Sequence, residues 1–509
     1  MSINMDLSDL STPGDPTSYK SWWAGLSANL GGIYPFFDSE DPCYFSLDIN
    51  DVLKRKTDKG EGVELDLAAL VSKTTLPYIL GDQTLVKGVK RAPWMCQLSK
   101  NGAWSNHSLP LHGFARPEPE EFERILREAL LKEARTYLDG CDTVGLLLSG
   151  GMDSRIVAGV VRQLQLDFGV PKRVIALTWG MENSRDVHYA KDIAKRFSWE
   201  FEHFPLGAEI LKDNIDFAGL AGAEVAPIHL HAIPQLAKID NIDVFLAGSY
   251  GDSVGRAEFS GKKLERLGSI LPKNFNRYGL VRSSLMHDIL PAIRANASLP
   301  SEYGQLDYIV RRHEIEQQKF YLRRMLQCNM GALATNAKFF QLFTSPDVFG
   351  LMWGLAPSQR NDTWYSLLLQ NLPGDLLSLP WARTGVPFGD DGSRPDGLRA
   401  RYHMYGVWLR SDLFNLIYDR VKSPEIRNLG IFNDKALDRC LRVWRSSRTE
   451  SNGALDEIMS WLASLHVFIT HNHFEVTECY PSSLRDRFTA DIGYARAKTY
   501  TLARNWLRK

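Results

Sequence analysis

The stretch Val144-Gly145-Leu146-Leu147-Leu148-Ser149-Gly150-Gly151-Met152-Asp153-Ser154-Arg155 decides the fold. Its apolar half predicts a buried strand that stops at Ser-Gly-Gly. Beyond the glycines, Ile156, Val157, Val160, Val161 and Leu164 recur at helical spacing. Two adjacent glycines let the backbone come close to a ligand and present its N–H groups. Ser149 and Ser154 add hydroxyl donors, and the helix start adds the positive end of a dipole. Such a turn suits a phosphate chain. Asp153 would repel bare polyphosphate, so a carboxylate there makes chemical sense as a Mg²⁺ ligand.

Downstream, Arg173 to Trp179 and Asp243 to Gly248 predict two more apolar strands, with a helix from Asp186 to Phe197 between them. Strands alternating with helices predict a doubly wound α/β domain around a parallel sheet, with ligands beyond the carboxyl ends of the strands. From about residue 260 the pattern turns helical, with amphipathic runs at 306–330 and 455–471. Upstream, residues 1–20 read as a poorly ordered lead-in. Gly32 to Phe37 and Pro42 to Leu47 predict a hairpin. A short helix over 65–76, a turn and strand over 81–93, and a strand over 95–98 complete a small α+β unit. The helix predicted from Pro117 to Tyr137 leads into the glycine turn, and the boundary is placed near Arg116.

Composition excludes several classes. At 509 residues the chain is longer than one ordinary core. Lysine plus arginine and aspartate plus glutamate number 60 each, so no global field draws the chain to nucleic acid or an anionic membrane. The first residues lack the basic start and apolar core of a signal peptide, and no apolar run is long enough for a membrane span. The six cysteines (Cys43, Cys96, Cys141, Cys328, Cys440, Cys479) form no CxxC pair, which predicts free thiols in a reducing cytoplasm. His229-x-His231 and His471-x-His473 have no third ligand in view and are read as structural.

Ser149-Gly150-Gly151-Met152-Asp153-Ser154 resembles the SGGxDS pyrophosphate loop of the N-type ATP pyrophosphatases, which split ATP between the α- and β-phosphates. Gly248-Ser249-Tyr250-Gly251-Asp252-Ser253-Val254-Gly255 is similar to the SGEGADELFGG stretch of asparagine synthetases, whose Asp shares Mg²⁺ with the first loop. The resemblance therefore makes Asp153 and Asp252 metal ligands, with Gly251 beside them. The family's two glutamates there are Ser249 and Ser253 in this chain. β-Lactam synthetases carry a tyrosine at the first of these positions, and Tyr250, one place away, becomes a catalytic candidate by that likeness. Asp186, in Asn183-Ser184-Arg185-Asp186, matches an acidic position near the nucleotide or else answers a helix dipole. Glu224 lies where the family has a substrate-side acid. Leu379 to Phe388 resembles the family's RPKxGFGxP loop, so Arg383 takes the place of a lysine that steadies pyrophosphate. Lys338 takes the place of a catalytic glutamate, reversing its charge.

The N-terminal unit resembles the second half of the family's amidotransferase domain, an Ntn fold, through Tyr34-Pro35-Phe36-Phe37, Phe45-Ser46-Leu47-Asp48 and Gly81 to Pro93. The family's nucleophile is a cysteine after the initiator Met. Here position 2 is Ser2, so glutaminase activity is not expected. The resemblance thus implies a truncated amidotransferase-like domain over 21–116 and an ATP pyrophosphatase/ligase domain over 117–509, adenine nucleotide alpha hydrolase-like in fold with a helical C-terminal half. It implies an amide-forming ligase using ATP and Mg²⁺. The loop residues Ser149, Gly150, Gly151, Asp153 and Ser154 would hold the nucleotide. The expected partners are a small-molecule or peptide carboxylate and an amine or ammonia donor, with no nucleic acid, no membrane and an oligomer open. An ammonia-using asparagine synthetase, an RNA-modifying adenylating enzyme and a non-catalytic nucleotide-binding scaffold are the alternatives.

Overall fold

The structure is a computed structural model that describes residues 34–98, 103–106, 109–259, 261–299, 309–335, 337–392, 396–474 and 480–507. The lead-in expected over 1–20, Ser2 and Cys479 lie outside the described residues. The strands in chain order are β1 (Phe36–Asp38), β2 (Asp41–Ser46), β3 (Val89–Arg91), β4 (Cys96–Leu98), β5 (Trp104–Asn106), β6 (Thr143–Leu147), β7 (Arg173–Gly180), β8 (Glu200–Pro205), β9 (Val244–Ala247), β10 (Glu258–Phe259), β11 (Lys262–Lys263) and β12 (Lys338–Gln341).

The central sheet has five strands in the order β12-β9-β6-β7-β8, every neighbouring pair parallel. Taken in chain order, strands one to three run outward on one side and strands four and five on the other. The order therefore reverses between β6 and β9, and the crevice beyond their carboxyl ends is where a doubly wound sheet binds its ligand.

Burial on both faces follows from the two-residue period of a strand. Val144, Leu146, Val174, Ala176, Val244 and Leu246 point into one apolar core with the helices Pro119–Leu138, Met152–Phe168 and Arg185–Phe197. The alternate residues Leu147, Ile175, Leu177, Phe245 and Ala247 point into a second core. That second core takes in Phe37 and Phe45 from the β1–β2 hairpin, so the small N-terminal unit covers one face of the sheet. Its three-stranded sheet has the order β2-β1-β3, and its helices span Ile49–Asp58 and Leu67–Thr75. A third core joins this unit to the helical C-terminal half, including the helices Asp434–Arg445 and Ala454–Asn472.

Two strands of the sheet, β8 and β12, extend the three expected. The amphipathic run at 306–330 is not one α-helix. It is an α-helix over Ile309–Glu316 that loosens into a π-helical stretch over Gln317–Gln327, and residues 306–308 are outside the described set.

Candidate active site

β6 ends one residue before Leu148, and the turn Ser149-Gly150-Gly151 leads into the helix that starts at Met152. The loop's own hydroxyls shape it. Ser149 Oγ accepts from the Gly151 N–H at 3.1 Å, and Ser154 Oγ lies 3.1 Å from Ser149 Oγ and donates to the Ser149 carbonyl at 3.1 Å. Buried Arg155 then ties a distant segment down on the turn. Its Nη1 donates to the Leu379 carbonyl at 2.8 Å and its Nη2 to the Gly150 carbonyl at 3.0 Å. The Ala382 N–H donates to the same Gly150 carbonyl at 3.1 Å, which brings Trp381 and Arg383 to the rim.

β9 delivers the second carboxylate. Gly248 is pressed against the start of the Met152 helix so closely that a Cβ there would stand 2.6 Å from the Asp153 carbonyl carbon and 2.8 Å from the Ser154 nitrogen. Tyr250 follows with φ of 77°, a costly conformation for a bulky residue, and turns the chain into a π-helical turn over Gly251–Gly255. The result is that the Asp252 N–H donates to Asp153 Oδ2 at 2.9 Å, while the Tyr365 hydroxyl donates to Asp153 Oδ1 at 2.9 Å. The structure brings the two aspartates together across adjacent strand ends.

Burial, and next the Asp252 charge, push the Asp153 carboxyl up to about 7. Burial also raises Asp252, although Arg256 opposes it. Arg256 donates to Asp252 Oδ1 at 3.0 Å and to Asp362 at 2.5 Å, and its guanidinium lies 3.6 Å from Glu258. Of the charged side chains that line the pocket, Asp153, Asp186 and Asp252 are acidic and Arg256 is basic, while Lys263 and Arg383 answer Glu258 outside that lining. Asp186, in the first turn of the helix Arg185–Phe197, faces the same space and accepts the Gly150 N–H. Burial lifts it to about 6 against that bond and Arg155.

These groups line one cavity of about 350 Å³, within the range of small-molecule sites. Ser149, Gly151, Asp153 and Ser154 form its floor, Gly248, Ser249, Asp252 and Arg256 one wall, and Thr178, Trp179, Asp186 and Tyr402 the other. Arg256, Trp179 and Tyr402 join the site without belonging to either glycine-rich stretch. Arg256 carried a signal, standing four residues after Asp252 on the same turn.

Four expectations are relocated. Tyr250 does not line the cavity. Its left-handed backbone sends the ring into the core, beside Tyr34, Cys328 and Arg323, where the buried hydroxyl has no hydrogen-bond partner among the described residues. Glu224 is clamped between Arg91 and Arg324 and lies outside the lining of this cavity. Lys338 opens β12 opposite Val244, at the amino end of the sheet, so its charge does not meet the cavity at the carboxyl end. Arg383 stands at the rim, over Trp381 and 3.4 Å from Glu258, with its side chain 57% exposed. His229 and His231 go to separate partners, Glu457 at 2.9 Å and the Tyr405 hydroxyl at 2.8 Å.

Comparison with known proteins agrees with this layout. The asparagine synthase family model matches residues 125–343, which run from the helix before β6 to the end of β12 and its following turn. A protein of Methanocaldococcus jannaschii, named for an asparagine synthetase of the glutamine-hydrolyzing kind, is 26% identical over 249 residues. The match takes in 45% of this chain and 41% of that protein, so the chain spans about two-fifths of the length of this curated relative. The structure of NMN synthetase from Francisella tularensis aligns at 14% identity over 43% of this chain and 94% of that one. Its TM-score of 0.20 is too low to bear on the fold. Over residues 125–343, the stretch that carries both aspartates and the glycine turn, this chain is similar to the asparagine synthetase family.

Proposed function

We propose that the chain is an ATP-dependent amide-forming ligase that adenylates a carboxylate and passes the acyl group to an amine. One observation supports this reading: the glycine turn, Asp153, Asp252 and Arg256 converge on a single cavity at the point where the strand order reverses. In this reaction a carboxylate oxygen attacks the α-phosphorus, the bond from Pα to the bridging oxygen breaks, and pyrophosphate leaves. The amine nitrogen then attacks the acyl carbon, and AMP departs with the electron pair of the C–O bond. Ser149, Gly151 and Ser154, which line the cavity, would cradle phosphates, while Gly150 and Gly251, outside that lining, hold Asp186 and Asp153 in place, and Asp186 would face the nucleotide. Arg256, with Arg383 at the rim, would offset charge on the leaving pyrophosphate.

Mg²⁺ fits this donor set. Among the described residues no cluster of three or more His, Cys, Asp or Glu is placed to hold a metal alone. Asp153 and Asp252 together supply the one or two carboxylates that Mg²⁺ takes when phosphates and water complete its shell. When bound, the ion withdraws charge from the phosphate oxygens. In this reading the amine is free ammonia or a substrate amino group, without a glutaminase of the chain's own, and the acid is a natural product, peptide or sugar acid.

Incubating the purified protein with MgATP, a panel of carboxylates and ammonium or amines tests the proposal by ³¹P NMR. Pyrophosphate and AMP, dependent on the carboxylate, are the expected products. ADP with orthophosphate, RNA-dependent turnover, or no nucleotide binding would overturn it. Gly248→Ala gives an independent check. The added methyl must push the end of β9 off the Met152 helix by a substantial fraction of an ångström. A displacement of this order at reacting groups costs about a hundredfold in rate, and a variant turning over at the wild-type rate would show that the two aspartates do not act together.

A further inference from the structure

The last helix, Leu484–Leu507, has two faces of opposite character. Its inner face is built from small residues. Ala490 and Ala497 are fully buried, and Gly493 sits so close to Tyr278 that no side chain fits between them. Buried Asp486 anchors the start by accepting the Ser283 N–H at 2.7 Å. The outer face carries Leu484, Phe488, Ile492, Leu502 and Trp506. At 100° per residue these five fall within one 80° sector, opposite the alanines. They are exposed, Leu484 by 80%, Phe488 by 66% and Trp506 by 76%. An apolar stripe of this length on a soluble surface marks a docking face.

The charges beside it identify the occupant. Arg485 and Arg496 flank the stripe on one side, Arg487 and Lys498 on the other, and all four are exposed. The helix's exposed acid, Asp491, is taken up by Arg439. Lys498 also joins Arg442 and Arg448 around a groove of about 490 Å³ whose other polar groups are Ser446, Tyr494, Thr501 and Asn505, with no carboxylate. A second copy docked along the same stripe would set cation against cation. The helix is too polar to cross a bilayer, since no described helix is long and apolar enough.

We propose that this helix docks the protein on an anionic lipid surface, its apolar stripe lying at the headgroup boundary and its flanking cations on lipid phosphates and carboxylates. Apolar contact and basic flanks are the two requirements of an interfacial helix. The balance of 60 basic and 60 acidic residues, which argues against such a partner when read over the whole chain, averages this patch away.

Vesicle flotation of the full chain tests the proposal without any nucleotide. The protein is expected to float with phosphatidylcholine vesicles holding about 30% phosphatidylserine, and not with phosphatidylcholine alone. Raising the salt releases it. Phe488→Ser with Trp506→Ser should abolish flotation, and Arg487→Gln with Lys498→Gln should weaken it by about tenfold or more, each cation near the surface being worth about fivefold. If the serine variant fails to fold by circular dichroism, the glutamine variant decides. Absence of flotation, equal flotation of wild type and glutamine variant, or a solution dimer that the serine variant dissolves would each overturn the proposal, the last by showing a second copy on the stripe.

Discussion

Asp153→Asn is expected to lower carboxylate-dependent pyrophosphate release by at least about a thousandfold while leaving the metal-free protein more stable near neutral pH. The loss follows from position. Asp153 is the carboxylate on which the Asp252 N–H and the Tyr365 hydroxyl converge, and an amide in its place cannot carry the charge that a cation needs. The gain follows from linkage. The folded state holds the Asp153 proton up to about 7, against a usual value of 3.8, through burial and then Asp252. Folded protein therefore binds more protons than unfolded chain between about pH 4 and 7. Stability from this group is complete below the lower value and is lost as pH rises through the upper one. The cost at pH 8 is on the order of 3 kcal/mol once water reaching the cavity is allowed for. Asp186, raised to about 6, adds a smaller decline of the same sign. Thermal melts of wild type and variant from pH 4 to 8, in chelator, should converge at the acid end and separate toward neutrality. Parallel melting curves would mean that Asp153 is not held protonated by its surroundings.

The same pair shows what the sequence reveals and where it stops. The apolar runs of β6, β7 and β9 are buried on both faces, so each reads as an unbroken hydrophobic stretch. With the glycine turn between strand and helix, they are enough to place the ligand crevice. β8 escapes because Glu200-Phe201-Glu202-His203-Phe204 is an edge strand that alternates apolar residues with charge. β12 escapes because four residues, Lys338 to Gln341, join the sheet after an excursion of about 90 residues from β9, and no local pattern encodes that return. Within the site, Asp153 is legible from its glycine turn and Asp252 from the resemblance of Gly248 to Gly255 to a family stretch, but Arg256 is visible only as a partner, once Asp252, Glu258 and Asp362 surround it. Tyr250 illustrates the opposite failure. A shift of one residue at a left-handed position reverses the direction of a side chain, and composition does not record it.

Glu224→Ala is expected to cost about 3–5 kcal/mol of stability, the usual consequence of leaving buried charge unpaired. Glu224 Oε2 accepts from Arg91 Nε at 2.9 Å and from Nη2 at 2.6 Å, and its Oε1 accepts from Arg324 Nη2 at 2.7 Å. Burial pushes this carboxyl up, yet the two guanidinium groups outweigh it and hold it below the usual glutamate range. Its contribution is therefore present above the unfolded value and is lost as the solution is acidified. The three residues come from three parts of the chain: β3, the turn after the helix Ala208–Leu220, and the π-helical stretch Gln317–Gln327. Arg323, next in that stretch, repeats the stitch by reaching Asp82 at 2.6 Å, so the N-terminal unit is fastened to the π-helical stretch by adjacent arginines. Truncating the shared carboxylate leaves two buried cations facing each other, whereas replacing all three residues (Arg91→Met, Glu224→Leu, Arg324→Met) removes the repulsion along with the attraction. The triple variant should recover most of the urea midpoint that the single variant loses. Pyrophosphate release per folded molecule, measured well below the melting range, should stay within about twofold of wild type in the single variant, because Glu224 is absent from the lining of the cavity. A large fall in turnover with an unchanged midpoint would return Glu224 to the substrate side, and the N-terminal unit would then have to be regarded as part of the site it covers.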